Sequence, residues 1–95
     1  MNETRIKLRH LHCFLEVARH GDIDRAAELL AVDRGAVVLA LDELEELIGV
    51  PLLDHATGVL TPAGTRLRAF AARGMEALQE GVLRHAAKEW GTRGG

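Results

Sequence analysis

The sequence predicts an all-α domain with a small β wing, closed by one long helix. Three observations predict it. Apolar residues recur at spacings of three and four in separate segments, the period of helices buried on one face. Gly and Pro punctuate those segments at Gly21, Gly49, Pro51 and Pro62. The single break in the helical period, "PLLDHATGVLTP", sets two short apolar pairs around a Gly-containing turn.

The first helix is predicted in "IKLRHLHCFLEVARHGD", where Leu8, Leu11, Phe14, Leu15 and Ala18 share one face. Gly21 supplies its left-handed stop. Asp24 is expected to cap a short second helix, "RAAELLAV", whose Ala26, Ala27 and Leu30 permit close packing. Asp33 follows as the cap of a third helix, and two helices joined by so short a turn make a helix-turn-helix. The third helix is expected from Arg34 to Ile48, with Val37, Leu41, Leu44 and Ile48 toward the core. Gly49 and Pro51 end it. Leu52-Leu53 and Val59-Leu60 then pair as a two-stranded wing. Thr61 with Pro62 starts a long helix running to Trp90. Residues 1–61 thus form the winged domain, 62–90 a linker and dimerisation helix, and 91–95 a flexible tail.

Composition narrows the function. Ninety-five residues allow one modest core. Phe14, Phe70 and Trp90 are the only aromatics, so that core is aliphatic. The net charge of −2 gives no overall attraction to nucleic acid. Cys13 stands alone, which excludes a disulfide framework and a two-cysteine metal site. The charged start lacks the apolar stretch of a signal peptide, and no run approaches the ~18 apolar residues of a membrane span. The expected compartment is the cytoplasm.

In this order, "LRHLHCFLEVARHGDIDRAAELLAV", "LDELEELIGVPLL" and "LTPAG" resemble the N-terminal winged helix-turn-helix domain of LysR-type transcriptional regulators. The resemblance spans Ile6 to Val82. It implies a bacterial regulator domain that dimerises through its last helix and sets its third helix in the major groove of double-stranded DNA. Full-length members carry a second, effector-binding domain. The chain is therefore expected to be either an excised domain or a natural short protein.

The departures from the family fall where DNA would be touched. At Asp33 and Arg34 the family usually has Ser or Thr and then Gln, and at Gly35 it has Pro. At Val38 and Leu39 it places Ser or Thr and a long polar or basic side chain. The wing segment "DHATGV" has no Arg or Lys. From Gly35 to Leu41 the third helix has no charge or hydroxyl, and Asp42, Glu43, Glu45 and Glu46 follow. Base readout needs donors and acceptors, and Val38 and Leu39 offer only a contact to a thymine methyl. Acidic residues facing a duplex would oppose binding. Glu45 and Glu46 are expected on the solvated surface.

The candidate DNA-contacting residues are Arg5, Lys7, Arg9, Arg25, Asp33, Arg34, Val38 and Leu39. Arg66 and Arg68 add bases at the start of the last helix. Binding through these bases should be weak and salt-sensitive, with little preference for sequence. Leu67, Phe70, Ala71, Gly74, Leu78 and Val82 form the candidate dimer seam, since their spacing continues over several turns of a helix too long for its own domain. His10 and Cys13 share a helical face, but two ligands do not close a zinc site. No catalytic constellation is present in the sequence, so neither a cofactor nor an enzyme activity is expected. The competing reading is a winged helix that has lost DNA readout and offers Val38 and Leu39 to a protein partner, or heterodimerises through its last helix.

Overall fold

The computed structural model describes residues 5–93, with side chains as far as His85. Four helices follow in order: α1 (Leu8–His20), α2 (Ile23–Leu30), α3 (Arg34–Ile48) and α4 (Pro62–Arg93). α1, α2 and α3 pack on one another in pairs, and α4 packs on α1 alone. The core is aliphatic around one aromatic ring. Phe14, Val17, Ile23, Ala26, Ala27, Val37, Leu41, Leu44, Leu52 and Leu53 form it.

The buried stripe of α1 is rotated from the expected one. His10, Phe14 and Val17 are buried, Leu11, Leu15 and Ala18 only partly, and Leu8 is 56% exposed. The reason is that α1 is covered on two sides. α2 and α3 take one side, while Leu8 and Leu11 line a shallow apolar groove against α4. His10 is buried at the start of α1 because both ring nitrogens have partners. The Lys7 N–H donates to Nδ1 at 3.0 Å, which leaves the proton on Nε2, 2.9 Å from Glu43 Oε1. A metal role for His10 is thereby displaced by helix capping. Cys13 is half-buried beside the core, and burial pushes its thiol pKa up.

The cap of α2 is Asp22, two residues earlier than expected; its carboxylate accepts the Asp24 N–H at 3.0 Å. Asp24 instead lies in the first turn. Asp33 stands at the cap position of α3, but its side chain caps nothing. The turn between α2 and α3 passes through Ala31 in the left-handed region, φ 59°. On α3, Val37, Ala40, Leu41 and Leu44 are buried, whereas Ile48 in the last turn is 37% exposed.

The wing is smaller than a two-stranded ribbon. One antiparallel bridge joins Leu53 to Leu60, framed by Asp54 N–H to Val59 C=O at 2.8 Å and Thr61 N–H to Leu52 C=O at 3.0 Å. The Asp54 carboxylate accepts the Ala56 and Thr57 N–H groups and shapes the turn. Gly58, at φ 78°, rests directly on the α1–α2 turn, where a Cβ would lie 2.5 Å from the Gly21 carbonyl oxygen. Thr61 caps α4 as expected: its hydroxyl accepts the Gly64 N–H at 3.0 Å and donates to the Pro51 C=O at 2.8 Å. Gly64 lies so close to the Leu52 carbonyl that no side chain fits between them.

α4 continues through residues 91–93, which were expected in the tail; residues 94 and 95 lie outside the described ones. No helix among the described residues is long and apolar enough to cross a membrane.

Candidate nucleic-acid interface

The helix-turn-helix brings the N-terminal ends of α2 and α3 together. Arg34 Nε donates to Asp24 Oδ1 at 2.8 Å, tying the first residue of α3 to the first turn of α2. Arg25, next to Asp24, pairs with Glu28 at 3.0 Å. Arg9 pairs with Glu43 at 3.1 Å. These three candidate bases are therefore already partnered, but at exposed sites where an ion pair contributes only about 0–1 kcal/mol. A phosphate can replace such a partner at little cost. Arg5, Lys7, Arg66 and Arg68 are exposed and form no ion pair among the described residues.

The acidic half of α3 is largely occupied with holding the fold. Glu43 reaches α1, where the His10 ring N–H and then Arg9 hold its carboxyl pKa below the usual value. Glu45 was expected on the solvated surface and is instead a brace for the wing. One oxygen accepts the Leu52 N–H at 2.7 Å and the Leu53 N–H at 3.3 Å, and the other lies 3.1 Å from His55 Nε2. Asp42, more exposed, faces the other ring nitrogen of His55 at 3.6 Å. Glu46 is exposed, as expected.

Val38 and Leu39 differ. Val38 is half-buried and packs against the core, so it has its cover within the domain. Its expected exposure is corrected by its position beside Val37, at the edge of the buried face. Leu39 is 55% exposed, and Asp33, Gly35 and Ala36 are exposed with it. Along α4, Ala71 is buried and Leu67 packs on the core, so these two are engaged within their own domain. Phe70, Leu78 and Val82 are 74%, 44% and 58% exposed, and Gly74 has open space around it.

The braces from Glu43, Glu45 and Asp24 carried no signal in the sequence. Each joins elements whose relative position is set by packing, and an acidic residue on a helix reads first as solvated.

Helices α2 and α3 with the bridge beyond them define a winged helix-turn-helix domain. The model of the bacterial regulatory helix-turn-helix proteins of the lysR family matches residues 8–65, more than half of the chain, and the chain belongs to that family. The HTH-type transcriptional regulator PcaQ of Agrobacterium fabrum is 49% identical over 55 residues, covering 58% of this chain and 18% of the relative. The uncharacterised regulator YdcI of Escherichia coli is 40% identical over 76 residues, covering 78% of this chain and 25% of its own length. Among solved structures, an OxyR mutant of Corynebacterium glutamicum superposes with a TM-score of 0.80 at 33% identity, covering 90% of this chain and 27% of that one. Full-length CbnR complexed with its target DNA superposes with a TM-score of 0.78 at 31% identity, covering 85% and 29%. The chain thus spans about a quarter or less of the curated relatives named here.

Proposed function

We propose that this domain binds double-stranded DNA as a homodimer and serves transcription regulation in the bacterial cytoplasm. α3 enters the major groove, as the second helix of a helix-turn-helix does. Arg5, Lys7, Arg9, Arg25 and Arg34 contact phosphates. The observation that carries this reading is the paired N-terminal ends of α2 and α3, with Arg25 and Arg34 beside them, since helix N-termini and bases together favour an anion. The dimer uses Phe70, Gly74, Leu78 and Val82, the part of the α4 stripe left open by its own domain.

Phosphate contacts carry the affinity, because exposed α3 has few groups for base edges. Fluorescence anisotropy with labelled duplexes tests this. Binding should fall steeply between roughly 50 and 200 mM salt. Arg34→Ala should weaken all sequences about equally and flatten the salt slope by about one unit. Affinity unchanged over that salt range, or no binding at its low end, refutes the proposal. The alternative, a protein partner on Val38 and Leu39, has less support because Val38 packs on its own core.

A further inference from the structure

We infer that Ala36 and Leu39 read the 5-methyl groups of thymine, so that the sequence preference of this domain is for A·T pairs opposite the first two turns of α3. The inference rests on the DNA-binding reading above. Gly35, Ala36 and Leu39 are exposed and lie three and four residues apart, so they share one face at the helix end that meets base edges. None of the three side chains has a donor or an acceptor. Arg34 is held by Asp24, and in the DNA-binding reading its contact is to phosphate. Glu43 and Glu45 turn toward α1 and the wing, and Asp42 lies one turn further on, against His55.

Of the groups in the major groove, only the thymine methyl is matched by an aliphatic side chain. Against the polar edges of G, C or A, Leu39 would strip water and return no hydrogen bond. Gly35 has open space where a Cβ would stand, so no side chain stands between Leu39 and a surface that approaches this face. Covering one methyl is worth about fourfold in affinity, from ~0.8 kcal/mol per buried CH₂.

The test starts by selecting duplexes from a random-sequence pool at low salt. A selected duplex is then remade with deoxyuridine replacing thymine one position at a time, which removes the methyl and keeps the pairing. One or two positions should lose about fourfold in affinity. The loss at the position under Leu39 should vanish in Leu39→Ala, while any loss under Ala36 remains; that variant should stay folded by circular dichroism because Leu39 is exposed. Full affinity with uracil at every position overturns the inference, as does an unchanged loss at every sensitive position in Leu39→Ala. In both cases salt-dependent duplex binding persists and the DNA-binding reading stands. Failure to bind any duplex at low salt overturns both.

Discussion

Replacing Glu45 by Ala should cost far more than an acidic residue on a helix surface ordinarily does. The carboxylate is 18% exposed and accepts the N–H groups of Leu52 and Leu53, residues that are 1% and 4% exposed. Water has little access to those two donors once the acceptor is gone. A hydrogen bond to a charged acceptor contributes about 1.5–3 kcal/mol. The 2.7 Å bond is well formed and the 3.3 Å bond is long, so we assign the pair about 3 kcal/mol. The whole domain should have only about 5–14 kcal/mol of stability. At roughly 4–8 °C per kcal/mol, Glu45→Ala should lower the melting temperature by about 12–24 °C. The assay is thermal unfolding by circular dichroism at one fixed protein concentration, because dimerisation would otherwise shift the midpoint. Glu45→Gln keeps a neutral acceptor and should cost about 1 kcal/mol. An Ala variant melting within about 4 °C of the parent would refute the brace and return Glu45 to the solvated surface.

Three further outcomes follow from named contacts. Gly64→Ala, at a helical position where Ala is ordinarily better by about 1 kcal/mol, should instead destabilise by several kcal/mol, because its Cβ collides with the Leu52 carbonyl; denaturant melts decide the sign. Glu43, whose folded pKa is lowered chiefly by the His10 hydrogen bond, contributes stability that is present above its unfolded pKa, near the ordinary 4.5. That stability is lost as pH falls through the lower folded value, so Glu43→Gln should melt with a weaker acid dependence than the parent. Leu78→Asp places a charge in the proposed seam and should give monomers by sedimentation while the domain keeps its helical spectrum.

The ends of α1 and α3 and the start of α4 were legible in the sequence because their signals are local. The αL residues Gly21 and Gly49 end α1 and α3, and Thr61-Pro62 starts α4 as the capping pattern implies. What misled was any inference needing the neighbour of a given face. The Leu8 stripe looked like the core side of α1, yet α4 covers Leu8 and Leu11 only as an open groove, while Glu43 of α3 holds His10 inward. Asp24 looked like a cap, and Asp22 beside it did that work, leaving Asp24 for Arg34. The uncharged run of α3 was half explained by Val38, which joins the core edge, and half by Leu39, which remains open. The candidate bases were legible by type, and the Arg25–Glu28 pair follows from its spacing within α2; that Arg9 and Arg34 are paired emerged only from the packing of α1, α2 and α3.

The wing is anchored in the core by Leu52 and Leu53, and its turn is placed through the main chain. Gly58 lies on the backbone of the Gly21 turn, Gly64 on the Leu52 carbonyl, and Glu45 binds backbone N–H groups. Its placement is therefore nearly independent of the exposed side chains at Ala56 and Val59. A loop built this way separates two kinds of selection. Substitutions at those two positions are screened for what they touch and hardly at all for folding. A basic side chain placed at either position would therefore change what this wing, lacking Arg and Lys, can touch while leaving its fold in place.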